Sequence, residues 1–192
     1  MTVLVVATGN PGKLRELQGL LTGSGWQLCL KPDALEVEET GTTFAENACL
    51  KASQVAQATQ QWALADDSGL EVAALEGAPG VFSARYGQTD ADRITRLLHE
   101  LGETANRAAR FVCVVAVARP DGAIVLQAEG VCAGSILTSP RGAGGFGYDP
   151  VFYVPEQGLT FAEMPPELKR RVSHRGRALQ ELLPQLQALQ YS

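Results

Sequence analysis

Val3-Leu4-Val5-Val6-Ala7 is a continuous apolar run rich in β-branched residues, and Thr8-Gly9-Asn10-Pro11-Gly12-Lys13 follows it directly. Such a run predicts a strand buried on both faces, since a strand with one wet face alternates apolar and polar residues. Beyond the turn, Leu14, Leu17, Leu20 and Leu21 recur at helical spacing over residues 13–21. Strand, glycine-rich turn and helix in that order predict an α/β fold, and the remaining segments extend the pattern. Thr43-Phe44-Ala45-Glu46 reads as a capping box, with Thr43 at the N-cap and Glu46 three positions on, opening a helix to about residue 60 that carries Lys51. Residues 62–65 read as another buried strand that ends in Asp66-Asp67-Ser68-Gly69, which puts two carboxylates at a strand end.

Further along, Ile94, Leu97, Leu98 and Leu101 make one helical face over residues 90–101. Residues 111–118 and 123–131 flank Arg119-Pro120-Asp121-Gly122 as a hairpin, and a hairpin joins antiparallel strands, so the sheet is expected to be mixed. Ser173 is placed to cap an amphipathic helix over residues 174–189, which Pro184 should kink or interrupt because it lacks a backbone donor. No internal repeat or linker divides the 192 residues. Helices packed on a mixed sheet, in a single domain of two lobes, is the architecture expected.

Composition bounds the function. With 45% hydrophobic and 19% charged residues the chain has the make-up of an ordinary soluble protein, and its formal charge of −5 argues against a nucleic-acid coat protein with a broad basic surface. A small anionic ligand stays possible where positive charge is local. No stretch reaches membrane-spanning length and no secretory signal is evident, so the cytoplasm is the expected compartment. Cys29, Cys49, Cys113 and Cys132 are scattered among apolar residues with His99 and His174 as the imidazoles, a pattern that predicts neither a zinc site nor a disulfide framework.

Three constellations could carry chemistry. Thr8, Gly9, Asn10, Pro11, Gly12 and Lys13 lie between strand and helix, where unpaired N–H groups, the helix dipole and a lysine suit a phosphate. Two residues separate Gly9 from Gly12 and Leu14 follows Lys13, so this is not a Walker A loop, and a capped turn with a solvated lysine is the competing reading. Asp66-Asp67, with Glu38-Glu39 upstream, offers oxygen ligands of the kind Mg2+ prefers, or a base for a water, with Lys13 and Lys51 to offset developing charge; the plain alternative is a turn of solvated acids. Gly144-Gly145-Phe146-Gly147-Tyr148-Asp149-Pro150 is suited to a flat ligand, Phe146 by stacking and Asp149 as an acceptor. Basic residues from Lys169 to Arg177, with Ser173-His174-Arg175 at a helix start, could read a keto oxygen or a phosphate, or could simply be a solvated patch.

Taken in order, Ala7-Thr8-Gly9-Asn10 with Lys13, Phe44 with Glu46-Asn47-Ala48 and Lys51-Ala52, Ala65 to Leu70, Ala78-Pro79-Gly80 with Ser83-Ala84-Arg85-Tyr86, Gly144 to Pro150, and Ser173-His174-Arg175-Gly176 closely resemble the inosine/xanthosine triphosphate pyrophosphatase family. Six separated blocks in one order are far more specific than any single block. The resemblance implies an α/β fold with a long twisted mixed sheet flooring a central substrate cleft between two lobes, a homodimer, Mg2+ dependence, and hydrolysis of ITP, dITP and XTP to monophosphate and pyrophosphate. By position it implies that residues 8–13 hold the triphosphate, that Asp67 is the general base and a metal ligand, and that Ser68 touches substrate. Glu39 is then the second metal carboxylate, with Glu38 its less favoured neighbour, and Lys51 assists at the phosphates. Phe146, Gly147, Tyr148 and Asp149 hold the base, with Lys169, His174 and Arg175 completing that site.

Refusal of adenine then follows from physics: hypoxanthine and xanthine present an acceptor oxygen at the 6-position, whereas an amino group there leaves buried donors unpaired. Two other functions remain to be separated from this one. A pyrophosphatase for modified pyrimidine nucleotides needs a smaller pocket around Phe146, and a non-catalytic nucleotide-binding module is expected to lack Asp67, Glu39 or the lysines, all of which are present.

Overall fold

In the computed structural model, which describes residues 2–189, the first apolar run forms β1 (Val3–Val6) and the leucine-spaced segment forms α1 (Pro11–Leu21). The helix starts two residues earlier than the leucines alone indicate. Asn10 caps it, its Oδ1 accepting from the backbone N–H groups of Gly12 at 2.8 Å and Lys13 at 3.2 Å, and Pro11 takes the first helical position, where its missing N–H costs nothing. β2 (Gln27–Leu30) returns parallel to β1, Val3 opposite Gln27 and Val6 opposite Leu30. α2 (Phe44–Thr59) opens on the expected capping box, Thr43 Oγ1 accepting from the Glu46 N–H at 3.1 Å and the Glu46 carboxylate accepting from the Thr43 N–H at 3.2 Å.

β3 (Trp62–Val72) lies on the other side of β1, parallel to it, with Val5 opposite Ala63. Here one expectation is corrected: the strand runs unbroken through Asp66-Asp67-Ser68-Gly69, so the two carboxylates lie within it instead of at its end. Asp, Ser and Gly favour turns when their polar groups must find local backbone partners. In this protein both acids are buried and matched to cations, and the apolar residues on either side, Leu64 and Leu70, are fully buried, so sheet pairing overrides turn propensity.

α3 (Asp90–Leu101) follows, capped by Thr89 and Asp92, and packs Ile94, Leu97 and Leu101 inward. β4 (Ala108–Ala118) and β5 (Ile124–Ile136) form the expected hairpin, closed by the Arg119 N–H to the Ala123 carbonyl at 3.0 Å, and both run longer than the sequence pattern indicated. β6 (Phe152–Val154) and β7 (Leu159–Thr160) add antiparallel. The mixed seven-stranded sheet has the order β2-β1-β3-β4-β5-β6-β7. α4 (Pro166–Val172), which the sequence reading did not anticipate, starts at a Pro pair and ends with Ser173 as its C-cap, and α5 (His174–Ala188) follows at once. Pro184 does not interrupt α5. Gln180, whose carbonyl Pro184 cannot serve, is exposed, while Leu182 and Leu186 on the buried face hold the helix in place and the Leu186 carbonyl accepts from Trp26 Nε1 at 3.1 Å.

Two compact units divide the chain. One takes residues up to Asp67, Cys113–Gly130 and those from Arg175 on; the other takes Ser68–Val112 and Val131–His174. The first has its own apolar core of Leu4, Val6, Leu17, Leu21, Leu64, Val115, Leu179 and Leu182 among others. The second is centred on Leu70, Leu97, Phe111, Phe152 and Phe161, with the Phe111 ring edge-on to Phe152 at 4.7 Å and stacked on Phe161 at 5.6 Å. No helix among the described residues is long and apolar enough to cross a membrane.

Candidate active site

The first unit holds Lys13, Glu16, Glu39, Lys51, Asp66, Asp67 and Arg175. Asp66 on β3 is 1% exposed, and its Oδ2 meets Lys13 Nζ at 3.1 Å, Arg175 Nη2 at 3.1 Å and Arg175 Nε at 3.3 Å. Arg175 also pairs with Glu16 of α1. Burial alone would raise the Asp66 carboxyl, but Lys13, Arg175 and Lys51 together outweigh it and hold the group ionised, well below the usual carboxylate range. The guanidinium of Arg175 is likewise held charged: its burial is offset by Asp66 and Glu16.

Asp67 lives in a different environment one residue on, since successive strand side chains point to opposite faces. Lys51, from the middle of α2, sets its ammonium 2.6 Å from Glu39 Oε1 and 3.3 Å from Asp67 Oδ1. Asp67 Oδ2 is buried and makes no hydrogen bond to the protein. Burial pushes the Asp67 carboxyl above its usual value, Lys51, Lys13 and, more weakly, the Asn47 side chain pull against it, and Glu39 adds to the rise. The Lys51 ammonium is stabilised in turn: burial disfavours its charge, and Asp67, Asp66 and Glu39 more than restore it. The two neighbouring acids are thus pushed in opposite directions, Asp66 toward a fixed anion and Asp67 toward a group able to take a proton. Glu38 is exposed on the irregular segment before α2.

In the phosphate-suited turn, Thr8 Oγ1 accepts from the Asn10 N–H at 3.2 Å, and Asn10 itself occupies the N–H groups of Gly12 and Lys13. Gly9 is exposed, has no left-handed φ, and a Cβ built on it would meet nothing within 4 Å. Nothing inside the chain therefore requires a glycine there.

The second unit contains the aromatic loop. Asp149 Oδ2 accepts from the Phe146 N–H at 2.9 Å and pairs with Lys169 Nζ at 2.6 Å, both side chains buried, and the same ammonium lies 4.9 Å from the Phe146 ring centre. Gly145 and Gly147 take φ values of +74° and +61°, and a Cβ on Gly145 would run into the Asp149 carboxylate. Tyr148 donates to the Ser83 carbonyl at 2.8 Å, and Ser83 Oγ in turn accepts from the Leu70 N–H at 2.9 Å, tying the loop to β3. His174 is buried with its ring stacked on Phe111 at 4.6 Å and lying over Phe161 at 6.0 Å. Ser68, partly exposed, continues β3 from Asp67.

Among the residues expected at the site, the structure thus brings Lys13 together with Asp66 and Arg175, Lys51 with Glu39 and Asp67, and Phe146 with Asp149 and Lys169. Sequence reasoning missed Glu16 and Asp90, and it gave Ser83 no role. Glu16 stands three residues after Lys13 on α1, a spacing that places both on one helix face and could have been read. Asp90 accepts from the Gly147 N–H at 2.7 Å across 57 residues of chain, and no local pattern announces such a contact.

Fold and site define the class: an α/β protein of one mixed sheet, with a lysine-bearing turn at a helix start, a buried cluster of acids and cations, and a glycine-rich aromatic loop. The chain belongs to the Ham1 family, whose model matches residues 4–185. It is 67% identical to the dITP/XTP pyrophosphatase of Nostoc sp., over 97% of this chain and 95% of that one. A protein of the same name from Synechocystis sp. is 59% identical over 100% of this chain and 98% of that one. The solved HAM1 protein of Coxiella burnetii superposes with a TM-score of 0.88 at 44% identity, covering all of both chains.

Proposed function

We propose that the chain is a Mg2+-dependent pyrophosphatase for non-standard purine nucleoside triphosphates, converting ITP, dITP and XTP to the monophosphate and pyrophosphate and so clearing deaminated purines from the nucleotide pool. The names of its relatives supply the substrate class. The observation that carries the chemistry is Lys51 held between Glu39 and Asp67, with Asp67 Oδ2 buried and making no well-formed hydrogen bond to the protein. A buried carboxylate oxygen without a partner is costly unless something outside the chain completes it.

Glu39 and Asp67 fit Mg2+. That ion is held by one or two carboxylates with water and substrate phosphates filling its remaining positions. When bound, Mg2+ would neutralise charge on the phosphate oxygens.

The remaining work falls to the chain. Asp67, with its raised pKa, takes the proton of the attacking water as oxygen adds to the α-phosphorus and the bond to the bridging oxygen breaks, releasing pyrophosphate. Lys51 offsets charge at the phosphates, and residues 8–13 with Lys13 receive the leaving pyrophosphate. Phe146 stacks on the base, Gly147 to Asp149 and Ser68 shape its surroundings, and Lys169 and His174 supply donors that favour a 6-keto purine. Arg175 was expected beside them from the resemblance; its guanidinium is engaged with Asp66 and Glu16. A cytoplasmic homodimer is the form the reading implies.

The test is hydrolysis of ITP and XTP beside ATP, GTP and dUTP, with and without Mg2+, assaying pyrophosphate and orthophosphate separately. Selective release of pyrophosphate from ITP or XTP is expected; stepwise orthophosphate would overturn the reaction assigned. The substitution Asp67→Asn should lower turnover by ~10²-fold or more with folding intact, and a near-normal rate would remove Asp67 from the role of base.

A further inference from the structure

Asp66 is the least expected residue of the cluster. Taking a carboxylate fully out of water is expensive, and a buried ion pair is often no more stabilising than apolar residues of the same volume, so stability does not explain its presence. Its Oδ2 collects one lysine and one arginine, while Oδ1 is buried without a hydrogen bond. With Glu16 pairing with Arg175 in turn, Lys13, Asp66, Arg175 and Glu16 form a chain of alternating charge inside the first unit.

Lys13 is the member of that set with a use for its position. It lies in the first turn of α1, its side chain is 16% exposed against 1% for Asp66, and Asp66 is its one ion-pair partner among the described residues. An ammonium carries three donors, so one directed at Asp66 leaves two. A lysine side chain free in solution loses several rotatable bonds' worth of entropy when it captures an anion, and a carboxylate that already fixes it removes that loss from the binding step.

We propose that Asp66 is a positioning residue for the phosphate end of the site: it anchors Lys13, with Arg175 as its second cationic partner, and it is not a second metal carboxylate beside Asp67. This rests on the reading of residues 8–13 as the phosphate site. The two alternatives differ in their route. A metal ligand acts independently of Lys13, whereas a positioning residue acts through it.

The experiment is a double-mutant cycle on Asp66→Asn and Lys13→Met, reading inorganic pyrophosphate affinity by calorimetry at saturating Mg2+ and, in parallel, KM and kcat for ITP. Asp66→Asn should weaken pyrophosphate by about tenfold or more in the otherwise native protein, a loss in keeping with displacement of one binding group. In the Lys13→Met background the same change should cost less than about twofold, because coupled residues are not additive. An unaltered affinity in Asp66→Asn, or an equal loss in both backgrounds, overturns the proposal.

If loss of the Asp66 charge beside the buried Arg175 keeps Asp66→Asn from folding, the comparison moves to Asp66→Asn/Arg175→Gln against Arg175→Gln alone, with the same expected loss. Failure of both Asp66 variants to fold while Arg175→Gln folds makes Asp66 a folding residue and overturns the proposal too. An otherwise native protein that neither binds pyrophosphate nor turns over ITP sinks the phosphate-site reading itself, whereas native binding unchanged by Asp66→Asn sinks only the positioning role.

Discussion

Gly9 and Gly145 show why identical residues mean different things. Gly145 has a left-handed φ of +74° and no room for a side chain beside Asp149, so its glycine is required by the fold. Gly9 has ordinary backbone geometry and open space where a Cβ would be, so the fold makes no such demand. Gly9→Ala should therefore leave stability unchanged or raised by about 0.4–1 kcal/mol through a less flexible unfolded chain. If residues 8–13 hold the triphosphate, the added methyl should raise KM for ITP by roughly tenfold, the order expected when a close backbone approach is spoiled. Thermal denaturation and steady-state kinetics on one preparation check both halves, and a lower melting temperature with unchanged KM would reverse the argument. Most of the candidate residues could be picked from the sequence because their types are chemically loud: a lysine after a glycine-rich turn, paired acids, an aromatic among glycines. What could not be read is which partner each would take. Arg175, expected at the base from the resemblance, also pairs with Asp66, a contact across 109 residues of chain that no spacing encodes.

The elements were legible wherever a local rule decided them. Thr43 and Glu46 cap α2 as their spacing indicates, and the apolar periodicity of α3 corresponds to its buried face. Reading failed at β3, where turn-forming residues continue a strand because ion pairs far off in sequence compensate the buried acids. The segment before α4 was passed over for a related reason. Thr160 and Glu163 form a box of their own, Glu163 Oε2 accepting from the Thr160 N–H at 2.8 Å and Thr160 Oγ1 accepting from the Glu163 N–H at 3.2 Å, with Arg141 gripping the same carboxylate. This turn offers the Ala162 carbonyl to the Gly144 N–H at 3.1 Å, so it props the start of the aromatic loop. Hydrogen bonds from Arg141, then from the Thr160 backbone, bring the Glu163 carboxyl from 4.5 down to about 2. A lowered folded-state value means the carboxylate contributes stability that is fully present above pH 4.5 and is lost as pH falls toward about 2. Melting curves of the native protein and Glu163→Gln should therefore differ above pH 4.5 and converge toward pH 2. A gap that stays constant through that window would mean that Glu163 does not titrate as its contacts require.

At the scale of the whole molecule, a net charge of −5 and a proposed substrate that is itself a polyanion look opposed. The opposition is resolved by distance. Charges exposed to solvent are screened beyond roughly 10 Å at 0.1 M salt, so a triphosphate within contact of Lys13 and Lys51 responds mainly to those two cations and their matched acids. A long nucleic acid instead samples the whole surface, and its affinity depends on releasing counterions from many phosphates at once, for which an acidic surface offers few partners. The two ligand classes should therefore separate at low salt. Inorganic pyrophosphate with Mg2+ should bind, weaken only modestly as salt is raised, and compete with ITP, while a single-stranded oligonucleotide should show no binding at the lowest salt the protein tolerates. Oligonucleotide binding with a steep salt slope would instead mean that a local basic patch, such as one around Arg170 and Arg171, dominates over the net charge. Competition of that oligonucleotide with ITP would place the patch at the nucleotide site, and its absence would place the patch elsewhere, so the pair of titrations tests whether the protein's anion recognition is confined to the few cations its acids hold in position.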